Sequence, residues 1–190
     1  MPFVCLVDTK SRTFQYKINT RTLLLNKRLH KMKIVDSELC TFCKQVEETP
    51  EHIFAECQHA CDFWEEFLKW WHTKFDINLQ LKEEEILFGV FGGSQHRPLL
   101  NHCIVIAKQM IYVCRHLGIL PTFELFWSKL KIIYMTERQI GFQNRQLSKF
   151  ERKWINLHAS LIWHSGRYFS VVHVWDIDSI IQYVIYAKFK

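Results

Sequence analysis

Apolar residues recur at three- and four-residue intervals along most of this chain, the period of helices buried on one side. Ser11 to Met32 reads as two helical pieces divided at Asn19-Thr20, with Leu25, Leu29 and Met32 in phase and Lys27 and Lys31 opposite. A short helix is predicted after Thr49, where threonine is a good N-cap, Pro50 suits the first position and Glu51 complements the dipole. It carries His52, Ile53 and Phe54 to Cys57, and a longer helix from Gln58 to Lys74 follows, with Phe63, Phe67, Trp70 and Trp71 inward. Glu83 to Phe91 reads as one more short helix, stopped by Gly92-Gly93. Pro98 opens a strongly apolar helix that ends at Leu117-Gly118 with Pro121 just beyond.

Phe123 to Trp154 is predicted as one long helix, with Gly141 its weakest point. At 100° per residue Phe126, Leu130, Ile133, Ile140, Leu147, Phe150 and Trp154 share one side. Lys131, Arg138, Arg145, Lys149 and Arg152 fall on the other, as a basic stripe. Beyond residue 154 the character changes: Tyr168 to Trp175 has the β-branched and aromatic flavour of a strand. The expectation is a mainly α fold, divided into a leader (1–10), a helical domain (11–154) and a tail of uncertain role (155–190).

Composition agrees with one folded unit: of 190 residues 48% are hydrophobic and 15% aromatic, enough for a core. No apolar run reaches the ~18 residues of a membrane helix. The stretch Met1 to Asp8 is too short for a signal-peptide core, so an intracellular protein, nuclear or cytoplasmic, is expected. In that reducing setting seven cysteines, an odd number, favour metal ligation or buried thiols over disulfides. Charge is segregated. Residues 1–39 carry 8 Lys/Arg against 3 Asp/Glu, residues 40–92 carry 4 against 11, and residues 93–154 carry 10 against 3. Two basic blocks flanking an acidic one suit a polyanionic partner.

The strongest chemical signal is Cys40-x2-Cys43-x8-His52-x4-Cys57. Two cysteines two residues apart fit a tight turn, and a His and a Cys further on complete a tetrahedral set for one Zn²⁺. Four protein ligands close the site, which makes the zinc structural rather than catalytic. Cys57 would come from beyond the short helix, and His59 and Cys61 stay open as rivals for its place. Cys5, Cys103 and Cys114 read as small apolar residues. Catalysis finds little support: none of the six Asp forms an adjacent pair for two-metal chemistry, and there is no phosphate-cradling glycine loop. Asp176-x-Asp178 and Glu83-Glu84-Glu85 read as solvated acids.

The run Cys40-Thr-Phe-Cys43, Glu48-Thr49-Pro50-Glu51-His52-Ile53-Phe54, Cys57 and Phe63-Trp64 resembles the zinc-binding domain of LINE-type (non-LTR) retrotransposon reverse transcriptases. Phe14-Gln-Tyr-Lys17, Asn26-Lys-Arg-Leu29 and Lys149-Phe-Glu-Arg-Lys-Trp154 resemble the flanking helices more loosely. The resemblance implies a C-terminal piece of a retrotransposon polyprotein that helps hold template RNA and target DNA. It also implies a truncated copy or a gene-model fragment without endonuclease and polymerase, with residues 155–190 as read-through.

The expected function is therefore a noncatalytic, zinc-stapled module that binds RNA and/or DNA. Its phosphate contacts would come from Arg12, Lys17, Arg21, Lys27, Arg28, Lys31 and Lys33, and from the stripe Lys131, Arg138, Arg145, Lys149 and Arg152. Five contacts to a single strand predict a salt slope of about −3.5. Tyr16 and Phe42 are candidates for base stacking or, more simply, core. The alternatives are a protein-interaction scaffold docking on the reverse transcriptase core, and a decayed copy without function.

Overall fold

The computed structural model describes residues 9–92 and 96–163, and in them the fold is helical. Seven α-helices follow in order: α1 (Thr9–Asn19), α2 (Asn26–Lys31), α3 (Gln58–Phe75), α4 (Glu83–Phe88), α5 (Arg97–Leu117), α6 (Phe123–Gln143) and α7 (Leu147–Trp163). A π-helical turn, His52–Glu56, precedes α3. The described residues contain no strand; a lone antiparallel bridge joins Leu39 to Glu47. The expected strand at Tyr168–Trp175, the leader residues 1–8 and Cys5 lie outside the described residues.

α5 is the central element: 14 of its 21 residues are buried, the polar Asn101, His102, Lys108 and Arg115 among them. Leu99, Leu100, Cys103, Ile104, Ala107, Met110, Ile111 and Cys114 are buried, as the pattern predicted. Its end is set by Gly118, whose φ of 68° is the left-handed conformation that terminates helices at low cost only for glycine. α3 turns Phe63, Trp64, Phe67 and Trp71 inward, and Phe63 and Phe67 meet Phe126 of α6 edge-on at 5.8 and 5.4 Å. Trp70, expected in the core, is only half-buried and lies against Phe123 and Trp127 of α6. α4 is shorter than predicted: it stops at Gly89, because the next residue, Val90, is held through both its amide and its carbonyl by the Asn101 side chain of α5.

The predicted single helix from Phe123 to Trp154 is two helices, α6 and α7, joined by a turn at residues 144–146. A straight helix of that length would run roughly 48 Å, well past any core that could cover its apolar side. Folding back buries both halves instead. Phe126, Leu130 and Tyr134 of α6 and Phe150, Trp154 and Leu157 of α7 enter the common core. Gly141 is not the break. It is a close contact between the two helices, since a Cβ there would meet that of Phe150 at 3.4 Å. Glu137 clamps the pair, accepting from Lys153 Nζ at 2.9 Å and from Trp154 Nε1 at 2.8 Å.

Candidate metal centre

Zinc ligation needs four donors brought together from a tight turn and a helix start, and local backbone accounts for each. The segment 38–48 doubles back on itself: Cys40 N donates to Val46 O at 2.7 Å and Glu48 N to Glu38 O at 2.8 Å. At its tip Lys44 takes φ 60° and its amide bonds Cys40 O, which sets Cys40 and Cys43 on one turn. Thr49 acts as the predicted cap, its hydroxyl accepting from the His52 amide at 3.1 Å. The short helix then departs from expectation. It is a π-turn in which Cys57 N bonds His52 O at 2.7 Å, five residues back. Residues five apart point away from each other on an α-helix; the wider turn is what brings His52 and Cys57 to one centre.

Cys40, Cys43, His52 and Cys57 place their ligand atoms within 4.8 Å of one another, and Cys40, His52 and Cys57 are buried. Cys40 Sγ lies 3.9 Å from Cys57 Sγ, and Cys43 Sγ lies 3.3 Å from His52 Nε2. A tetrahedron with zinc–sulfur bonds near 2.3 Å has sulfur–sulfur edges of about 3.8 Å, so the residues fit that ion. The other ring nitrogen, Nδ1, faces the Glu56 carboxylate at 3.8 Å. Cys40 Sγ donates to Cys57 Sγ. The bond to Cys57, with burial, pushes the Cys40 thiol up. The same bond draws Cys57 down against burial, helped by the amides of His59 and Ala60 at the start of α3. Backbone amides of Phe42 and Cys43 likewise favour the Cys40 thiolate.

The two rivals fall outside this group. Cys61 is exposed and donates to Ala55 O at 3.2 Å. His59 stands edge-on to Phe42, ring centres 6.5 Å apart. Cys103 and Cys114 are buried in the core as expected.

Behind the ligands lies a buried polar strut that sequence reasoning missed. Glu48 is 0% exposed. Its carboxylate accepts from Thr41 N at 2.7 Å, Asn26 N at 2.9 Å and Arg115 Nε at 2.6 Å. Arg115 also donates to Asn26 Oδ1 at 2.7 Å, and Asn26 to Leu39 O at 2.8 Å. Burial raises the Glu48 carboxyl, but the Arg115 charge, the Thr41 hydroxyl and the two amides outweigh it and hold the group below its ordinary value. One acid thus ties the cysteine turn to α2 and α5. Glu48 stood in the motif already quoted, but Arg115 lies 67 residues away and nothing local marks it.

The proposed phosphate-binding cations are distributed unevenly. Arg21 pairs with Glu51 at 2.7 Å, Lys27 with Glu47, and Arg28 donates to Arg21 O. Two of the seven cations proposed in the first basic block, Arg21 and Lys27, are therefore set against the acidic block around the cysteine turn, while Arg12, Lys17, Lys31 and Lys33 are exposed. The single stripe does not exist as a line: Lys131 and Arg138 are on α6, Arg145 is in the turn with φ 55°, and Lys149 and Arg152 are on α7. Arg138, Arg145 and Arg152 are exposed; Lys131 is half-buried, its ammonium 5.7 Å from the Trp127 ring centre. Tyr16 is exposed and Phe42 packs against the core.

Residues 3–64, about a third of the chain, match the family described as zinc-binding in reverse transcriptase. No curated protein gives a match. The match spans α1, α2, the four clustered residues and the start of α3. No described helix is long and apolar enough to cross a membrane.

Proposed function

We propose that the chain is a noncatalytic accessory module of a LINE-type reverse transcriptase, in which one zinc ion fixes a helical platform that contacts template RNA or target DNA. The observation that carries this reading is the coincidence of a closed Cys3His set with the matched segment. A closed set leaves no position for substrate, so the metal's part is to cross-link the cysteine turn to the start of α3. Contact with nucleic acid falls to cations on the surface. Exposed Lys17, Lys31 and Lys33 at one end and Arg138, Arg145 and Arg152 on the α6–α7 hairpin are the candidates.

The test is binding of the zinc-loaded chain to labelled RNA, DNA and duplex across a salt series. Each phosphate contact to a single strand adds about −0.7 to the slope, so reversing Arg138, Arg145 and Arg152 removes about 2 from it. A folded, zinc-loaded protein that binds nothing at low salt overturns the reading. A second reading, docking on a polymerase core, is favoured by one feature. α6 exposes Leu125, Ile132, Met135 and Phe142, with Phe142 72% exposed. That reading predicts that charge reversal alters assembly with the polymerase and leaves nucleic-acid affinity unchanged.

A further inference from the structure

Outside the metal centre, α1 and α5 enclose a cleft of about 360 Å³ with an unusual lining. Lys10, Thr13, Phe14 and Lys17 of α1 contribute, with Leu24 from the following loop and Tyr112 from α5. Their spacing explains the shared face. Positions i, i+3, i+4 and i+7 align on a helix, while Ser11, Gln15 and Ile18 turn into the core beside them. Phe14 sits at the border, its ring 5.6 Å from Tyr112 and 6.1 Å from Phe54. The Tyr112 hydroxyl donates to Leu24 O at 3.3 Å and closes the floor.

Among the described residues no carboxylate lines this cleft. Two half-buried aromatic rings, an aliphatic wall, hydroxyls and the exposed Lys17 meet in one concavity. A ligand for it has a flat apolar body and a negative charge a few ångströms away. The volume is at the lower end for ligand clefts, roughly 300–1,000 Å³, which suits one nucleotide-sized group and not a duplex. In a duplex each base is paired and stacked on both faces, so only an unpaired base can offer a ring to Phe14 or Tyr112.

We propose that this α1–α5 cleft is a subsite for an unpaired nucleotide of a single strand, its base against Phe14 and Tyr112 and its phosphate on Lys17. The proposal rests on the nucleic-acid reading above and names the form of nucleic acid it requires. It places contact on the zinc-bearing end of the molecule, away from the α6–α7 hairpin. Stacking on an aromatic platform tolerates any base, so the subsite adds affinity for single strands without sequence choice.

The experiment uses the full zinc-loaded chain, a fluorescein-labelled 12-mer of uridines, its duplex, and a 4-thiouridine version for photocrosslinking. Lys17→Glu and Leu24→Asp alter exposed side chains, so folding is preserved, and zinc content and circular dichroism check it. Lys74→Glu on α3 gives the same charge change as Lys17→Glu outside the cleft. The expected result is preference for the single strand, crosslinks to peptides containing Phe14 or Tyr112, and weaker binding for the two cleft variants but not the control. Single-strand binding that survives millimolar uridine monophosphate marks a strand site; loss at micromolar monophosphate identifies a free-nucleotide pocket and overturns the proposal. Binding with crosslinks elsewhere and unaffected variants also overturns the cleft but leaves the module reading standing. No binding by a folded protein removes both.

Discussion

Replacing Glu48 by alanine is the perturbation that most directly tests how the zinc-bearing turn is joined to the rest of the fold. The carboxylate accepts three hydrogen bonds, from Thr41 N, Asn26 N and Arg115 Nε. Its removal leaves two amides without that acceptor and strands Arg115, itself only 6% exposed. Breaking a buried ion pair from one side costs about 3–5 kcal/mol. Against a total stability of about 5–15 kcal/mol that is a large fraction. Removing both partners is milder: Glu48→Ala with Arg115→Met buries no unpaired charge, so the double variant falls short of the summed single costs by about 1–3 kcal/mol. The assay is urea unfolding with saturating zinc, followed by tryptophan fluorescence, for the four proteins of the cycle. A pH series adds an independent arm. Because Glu48 titrates below its ordinary value in the fold, its contribution is complete at neutral pH and disappears as pH falls through the folded value. Glu48→Gln should therefore flatten the acid limb. A single-variant cost under about 1 kcal/mol, or strictly additive costs, would refute the strut.

Three further expectations concern other parts of the molecule. His52→Ala should lower bound zinc below one equivalent and release amide protection across residues 38–60; retained stoichiometric metal would make His52 the wrong ligand. Lys108, fully buried on α5, donates to Gln15 Oε1 at 2.6 Å and Leu87 O at 2.7 Å, and burial lowers its pKa to about 7. Above pH 7 the folded protein holds it neutral while the unfolded chain stays charged to about 10.5, so wild-type stability relative to Lys108→Met rises by up to about 1.4 kcal/mol per pH unit between pH 7 and 10. A flat difference in paired thermal melts would place the charge elsewhere. Gly141→Ala meets Phe150 Cβ at 3.4 Å and should stay within about 1 kcal/mol of wild type, because helix propensity offsets the tight contact. Gly141→Leu should separate α6 from α7 and cost about 1–3 kcal/mol, read from the same melts.

What the sequence determined by itself is whatever neighbouring residues decide. Thr49 and Pro50 mark a helix start, Gly118 a helix end, and the apolar run of α5 a buried helix, and all three stand as read. The clustering of Cys40, Cys43 and His52 was legible for the same reason: cysteines two apart share a turn, and His52 follows a cap. Tertiary structure decided the rest. Helical periodicity continues in phase through residues 123–154, so nothing in the pattern reveals that burying both halves against α5 and each other requires a reversal at residues 144–146. That reversal broke up the basic stripe. The π-turn is likewise a product of context, since it is the backbone geometry that carries His52 and Cys57 to one centre across five residues. Glu48 and Arg115 show the limit most plainly: each looks like a surface charge in its own segment. Only packing α5 behind the cysteine turn takes both out of water, and burial then makes each the condition for the other.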